Sequence, residues 1–241
     1  MHHGGKTTVG GTLSAQGNDA NSKGGNITAL GDNIQIASGA RINASGQAGG
    51  GNVLIGGDWQ GSGSLQQATT VEMQQGAEIK ANATANGDGG KVVLWSDVGN
   101  VSSITTVHGT IYANAGANGG DGGHIETSGH LLNVDGVQGS ANASISGNSG
   151  EWLFDPYNVE ITNYDATSSQ SGGTYSVWGD SSKINASTIN SLLSGGTSVT
   201  ITTGTSGSNQ LGDIMVSSAI ANTGSSTTTL RLQAANSIII N

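Results

Sequence analysis

A pair of glycines followed by one polar and one β-branched residue recurs four times. The copies are Gly24-Gly25-Asn26-Ile27, Gly50-Gly51-Asn52-Val53, Gly89-Gly90-Lys91-Val92 and Gly122-Gly123-His124-Ile125. They stand 26 (24 to 50), 39 (50 to 89) and 33 (89 to 122) residues apart. A second element falls between them, as Gly39-Ala40-Arg41-Ile42-Asn43-Ala44, Gly76-Ala77-Glu78-Ile79-Lys80-Ala81 and Gly109-Thr110-Ile111-Tyr112-Ala113. Two unlike elements repeating in fixed order at an irregular period mark a chain assembled from stacked supersecondary units.

Between the glycines the apolar residues alternate with polar ones, as in Asn33-Ile34-Gln35-Ile36 and Val199-Thr200-Ile201-Thr202. Period two over short runs bounded by Gly, Asn and Ser predicts strands. One segment breaks the pattern. Residues 187–193 read as a short helix, capped by Ser187 and ended by Gly195-Gly196. Many short strands suit either an antiparallel sandwich or a parallel stack. Tight Asn-Gly or Asp-Gly hairpins are missing, and the connections are loose runs such as Ala117-Asn118-Gly119-Gly120-Asp121-Gly122. In a parallel stack each residue lies about 4.8 Å from its equivalent, so repeated like charges repel. Charged residues make up only 10% of the chain, and Asn and Thr ladders can pair along such a column. The pattern therefore predicts an all-β parallel β-helix. At about 20 to 25 residues per coil, it would have roughly ten coils and a length of about 50 Å.

Composition narrows the function. Seven Lys and Arg against 16 Asp and Glu give a net charge of -9, which cannot neutralise a run of phosphates, so nucleic acid is not expected as a partner. With no Cys there is no thiolate metal site and no thiol nucleophile. No apolar run is long enough for a membrane-spanning helix, and membrane insertion is not expected. The start, Met1-His2-His3-Gly4-Gly5, has no signal-peptide pattern, and the end, Ser237-Ile238-Ile239-Ile240-Asn241, reads as an uncapped strand. The expectation is a segment of a longer protein.

Several residues invite a functional reading. Gly119-Gly120-Asp121-Gly122-Gly123 lacks the Lys-Ser/Thr of a phosphate loop and the register of a calcium nonapeptide. Its glycines are read as supplying positive φ at corners, with an incidental cation at Asp88 or Asp121 as the alternative. His108, His124 and His130 lie near Asp121 and Glu126. Alternation places His124 and Glu126 on one face, but nothing supplies a third ligand, so no metal and no cofactor is expected. A polysaccharide-cleaving site needs clustered carboxylates with cations, and seven cations over the whole chain argue against catalysis. Asn26, Asn43, Asn82, Asn100, Asn142 and Asn185 head Asn-x-Ser/Thr sequons and are the glycosylation candidates. Glu151-Trp152-Leu153-Phe154-Asp155-Pro156-Tyr157 reads as a bulky corner, or else as an aromatic platform for a sugar ring. Trp59, Trp178 and Tyr157 are the carbohydrate-contact candidates.

Gly89–Asp97, then Gly109-Thr110-Ile111-Tyr112-Ala113, then residues 119–129 and then Gly150–Asn158 follow one another in an order that resembles the large exoproteins of the filamentous haemagglutinin type. Residues 184–203 are similar to the segment that follows in many of them, and the likeness spans roughly residues 24–241. The resemblance implies a right-handed parallel β-helix in a shaft of a secreted adhesin on the surface of a Gram-negative bacterium. It also implies export through a dedicated outer-membrane transporter of a two-partner system, and a host-cell receptor or matrix polysaccharide as ligand. His124 stands where relatives usually carry an aromatic, Ile104 and Val107 replace another, and the family's Asn-Pro secretion motifs are absent. The expected organisation is a lead-in over 1–23, Gly-Gly coils over 24–150, an aromatic corner and loop over 151–183, and further coils over 184–241. A glycan-binding module and the stalk of a contact-dependent toxin are the alternatives.

Overall fold

A computed structural model describes residues 5–164, 181–204 and 211–241. They form an all-β arrangement of three sheets with one helix, and every pairing between named strands is parallel. The nine-stranded sheet runs Lys6–Val9, Asn33–Ile36, Thr70–Met73, Ile104–Val107, Leu131–Asn133, Ser182–Asn185, Val159–Thr162, Ile214–Val216 and Ile238–Ile240. The five-stranded sheet contains Thr12–Ser14, Arg41–Asn43, Glu78–Lys80, Thr110–Tyr112 and Gln138–Ser140. The seven-stranded sheet contains Asn26–Ala29, Asn52–Ile55, Lys91–Trp95, His124–Gly129, Glu151–Pro156, Ser198–Thr202 and Leu230–Gln233. From Lys6 to Pro156 the chain visits the nine-, five- and seven-stranded sheets in unbroken rotation.

The sequence repeat is the sheet register. Asn26 pairs with Asn52, Asn52 with Lys91 and Lys91 with His124, the same residues that follow each glycine pair. Arg41, Glu78 and Thr110 of the second element are likewise in register. The period is longer than expected: later register steps of the seven-stranded sheet are 27 residues (His124 to Glu151) and 47 (Glu151 to Ser198). The widest sheet has nine strands and so eight spacings, or about 38 Å across.

The glycines of the repeat serve close approach rather than turning. None of Gly24, Gly50, Gly89 and Gly122 has a positive φ. A Cβ added to them would lie 1.8 to 2.0 Å from the carbonyl oxygens of Ala44, Ala81, Ala113 and Ala141, respectively. The second glycine of each pair donates to the same carbonyls one round on, Gly51 N to Ala44 O at 2.8 Å, Gly90 N to Ala81 O at 2.7 Å and Gly123 N to Ala113 O at 2.8 Å. Backbone stacks on backbone there, and any side chain would force the rounds apart. The positive-φ reading holds only for the loop glycines before them, such as Gly120 at 131°.

Inward columns carry the core: Ile42-Ile79-Ile111 from the five-stranded sheet and Ile55-Leu94-Thr127-Phe154-Ile201 from the seven-stranded one, all buried. Residues 151–156 are not a corner. They are a central strand, flanked by His124–Gly129 and Ser198–Thr202, with Trp152 and Phe154 stacked inward at 5.7 Å. Their bulk has a local cause. The five-stranded sheet ends at Gln138–Ser140, and the helix Ala186–Ser194 packs against that strand, Ser182–Asn185 and Ser198–Thr202. Trp152 and Phe154 belong to the same buried core cluster as the helix's Ile189, Leu192 and Leu193. The helix is one residue longer at each end than the sequence suggests, and its cap is Asn185, whose Oδ1 accepts from Ser187 N at 2.9 Å. Chain order breaks once, where Ser182–Asn185 lies between Leu131–Asn133 and Val159–Thr162.

The ladders form, though largely through the backbone. Asn52 Nδ2 donates to Asn26 Oδ1 at 2.8 Å, but at the corners Asn82 and Asn114 accept from the main-chain N–H of Asn114 and Asn142, each at 2.8 Å. Like charges do share one exposed column. Asp88 Oδ1 accepts from Asp121 N at 2.8 Å, and Asp121 Oδ1 accepts from Asn148 N at 2.7 Å. The N–H donors, first among them Asn148's, hold Asp121 below the usual carboxylate range.

Gly90→Ala is expected to destabilise the fold by about 1–3 kcal/mol or more, because the new Cβ meets the Gly51 oxygen at 2.0 Å. Gly10→Ala, with nothing within 4 Å, should be near neutral. Trp152→Ala should cost about 3–5 kcal/mol. Urea unfolding of the three variants checks all of this.

Candidate functional site

The outward side of the seven-stranded sheet gathers the chain's most unusual chemistry. Three residues separate Ala29 from Asn33, whereas fourteen separate Ile55 from Thr70. The extra chain is a loop closed at its base by Ala68 N donating to Gly56 O at 2.8 Å. Within it, residues 57–67 lie as a strap over the neighbouring strands. Asp58 Oδ1 accepts from Trp59 N at 2.7 Å and caps a single 3-10 turn, Trp59–Gly61. Gly57 and Gly61 press on the indole of Trp95, leaving no room for a Cβ, and Trp95 Nε1 donates to Gln67 Oε1 at 3.1 Å. Outward-pointing Val93, Trp95, Val98 and Tyr157 form a second, small apolar cluster, with Leu54 and Trp59 packed against it.

Glu126 lies under the strap with no exposed surface. Both carboxyl oxygens accept from Gln60 N, at 2.9 and 3.1 Å, and Ser128 Oγ donates to Oε1 at 2.9 Å. Gln60 reaches this position with φ at 53°, a left-handed conformation that a side chain disfavours. Burial pushes the Glu126 carboxyl up to about 8; the Gln60 and Ser128 hydrogen bonds oppose the shift, nearby Asp155 adds to it and Lys91 opposes it. At neutral pH this carboxyl holds its proton. Asp155, in register with Ser128 on the next strand, is also raised by burial, against the Thr202 hydroxyl that donates to it at 2.7 Å.

At the strap's open side the groups are accessible. The Trp59 ring meets His124 edge-on, with centroids 5.7 Å apart, and Lys91 Nζ lies 5.8 Å from the Trp59 centroid. His124 Nδ1 stands 3.8 Å from Glu151 Oε2, beyond hydrogen-bond length, so the attraction is ionic and needs a protonated imidazole. That neighbour first, and the Thr200 hydroxyl bonded to Glu151 Oε1 second, hold Glu151 below the usual carboxylate range despite its partial burial.

Of the aromatic candidates among the described residues, Trp59 is the one with a partly exposed ring at this face. Tyr157 is 2% exposed, its ring 4.7 Å from that of His130, and presents no face to a sugar. Trp178 lies outside the described residues. His130 is buried with Nδ1 3.0 Å from Val98 O, and His108 Nδ1 is 2.6 Å from Asp135 O. The His124 and Glu126 side chains share a face, as alternation requires, but among the described residues no three His, Asp or Glu groups could hold a metal ion. Among the sequons, Asn26 is exposed. Asn43 and Asn82 use Oδ1 to accept from Ser45 N and Asn114 N, Asn100 from Ser102 N, and Asn142 from the Thr197 hydroxyl, while Asn185 caps the helix. No helix among the described residues is long and apolar enough to cross a membrane.

Sequence reasoning missed Lys91, Glu151 and Asp155 as neighbours of His124 and Glu126. Strand register aligns Lys91, His124 and Glu151 in one outward column, although only Lys91 and His124 follow a glycine pair, and it sets Asp155 beside Ser128. No model of a known protein family matches this chain, and a search of curated proteins finds no match.

Thr200→Val removes a donor to the ionised Glu151 and should raise its pKa. Glu151, depressed in the fold, contributes stability above its unfolded value that is lost as pH falls through the folded one. The variant should therefore shift that loss to higher pH, as followed by carboxyl carbon-13 titration and acid unfolding.

Proposed function

We propose that the three sheets are the faces of one right-handed parallel β-helix, and that the chain is a structural shaft segment of a secreted bacterial surface adhesin of the filamentous haemagglutinin type. The observation that carries this reading is the rotation of the chain through three parallel sheets in residue-for-residue register. Parallel crossovers are right-handed almost without exception. Such a stack satisfies backbone donors and acceptors between rounds, and its stability grows with their number without disulfides or metal. A chain with no Cys and few charges suits passage, unfolded, through an outer-membrane transporter and folding outside the cell. The shaft would hold a binding region, for a host receptor or matrix polysaccharide, away from the surface.

A second reading rests on one specific observation. Half-buried Trp59, with Lys91 and His124 beside it, offers a ring edge, a cation and hydrogen-bond donors together, a combination that suits a sugar.

Removing residues 26–51 joins Gly25 to Asn52 at equivalent register positions and deletes one strand from each sheet. A repeated shaft should still fold, with an unchanged circular dichroism shape and somewhat lower stability, and in a surface-displayed protein should keep adhesion with shorter reach. Failure to fold would rule out independent rounds. Glycan-array binding by the intact chain, lost in Trp59→Ala with the fold retained, would favour the module over the passive shaft.

A further inference from the structure

We propose that residues 57–67 are a pH-dependent latch, closed over the outer face when Glu126 holds its proton and loosened when the carboxyl ionises. The geometry is specific to this round. The strap makes its central polar contact with the sheet through one donor, Gln60 N, aimed at both oxygens of a side chain with no exposed surface. The rest of its grip is the fit of Gly57 and Gly61 to Trp95, the Trp95–Gln67 bond, and Gln66 Nε2 donating to Asp32 Oδ1 at 2.7 Å. Seating Gln60 requires its left-handed backbone, so the closed form is held by contacts and not by local preference.

Chemistry decides which protonation state fits. Glu126 stands between Val93 and Leu153 along its outward column, each fully or nearly fully buried. A charge there is separated from water and compensated by two donors, Gln60 N and Ser128 Oγ. The protonated acid needs less. It keeps the Gln60 bond, and the Ser128 hydroxyl can turn to accept the carboxyl proton. The charged groups around it are Lys91 on one neighbouring strand, Glu151 and Asp155 on the other, His124 on its own strand and Asp58 in the strap. Asp155 disfavours ionisation of Glu126 and Lys91 favours it.

The sign follows from linkage. With the closed-state value raised to about 8 and an ordinary value near 4.5 regained on opening, the closed form binds the proton more tightly. Closure is therefore strongest at acidic pH, weakens as pH climbs from about 4.5 toward 8, and changes little above that. Between pH 6 and 9 the open-to-closed ratio should rise on the order of 100-fold.

The test uses the full chain. Amide NMR should show the Gln60 N–H titrating with a midpoint near 8. Hydrogen exchange over residues 57–67, corrected for the intrinsic base-catalysed rate, should quicken on the order of 100-fold from pH 6 to 9, while strand 91–95 stays protected. Glu126→Gln keeps the shape without the charge and should flatten both profiles with the strap closed. Asp155→Asn removes the neighbouring negative charge and should lower the Gln60 midpoint while leaving the latch working. A wild-type Gln60 midpoint near 4.5, or strap exchange that tracks the intrinsic rate at every pH, would overturn the proposal. So would a Glu126→Gln profile identical to wild type. None of these results bears on the shaft reading, which the round-deletion experiment tests separately.

Discussion

Along the glycine column, backbone packs on backbone without room for a side chain. Where Gly24, Gly50, Gly89 and Gly122 meet the alanine carbonyls, a single added carbon would sit about 2 Å from an oxygen. That contact sets the separation of successive rounds at one corner, and the N–H of the following glycine makes it cohesive by donating to the same carbonyl. Once one corner is held at strand spacing, the flanking strands have a register imposed on them. A one-residue slip would send Ile125 outward and Glu126 inward. The glycines and the alternation are thus two halves of one specification, the first setting height and the second setting face.

With height and face determined, the connections are left free to vary. One residue links Gly129 to Leu131, eight link Trp95 to Ile104, and fourteen link Ile55 to Thr70, yet the strands they join keep their places in the sheets. An insertion in a stack of parallel strands can lie outside the sheets, where lengthening a loop costs little. The same freedom explains the later departures. Among the described residues no strand after Gln138–Ser140 joins the five-stranded sheet, and a helix packs at its edge, with Trp152 and Phe154 in the same core cluster as the helix.

How far this was legible from residues alone depended on the range of the interaction. The strands, their inward Ile and Val columns and the pairing of Asn26, Asn52, Lys91 and His124 followed from local alternation and a repeated glycine signal. The helix was visible too, although its cap was assigned two residues late, because Asn185 and Ser187 are both good cap residues and only the backbone path chooses. The length of a round was not legible, since loop residues that leave the sheet look like strand-bounding residues. Nor was the place of Glu151–Pro156: a dense aromatic cluster reads as a corner unless one knows that a sheet has ended beside it. Ser182–Asn185 preceding Val159–Thr162 in sheet order is a non-local choice that no local pattern encodes.

The outer face near Glu126 shows why the candidate site was the hardest part to foresee. A Glu at an outward strand position is ordinarily a solvated group, and its sequence neighbourhood says nothing else. It becomes unusual only because a loop from two rounds earlier returns across Trp95 and places one N–H over it. Outward residues of a stack are exposed by default, so any that are buried must be covered by an insertion. An insertion long enough to do so is visible as an excess in the spacing of the repeat. The 39-residue step between Asn52 and Lys91, set beside the 26-residue step before it, marks the round that carries such a cover. In a fold of this kind, irregularity of period points to chemistry more directly than residue type does, because the regular rounds have only their own stacking to satisfy.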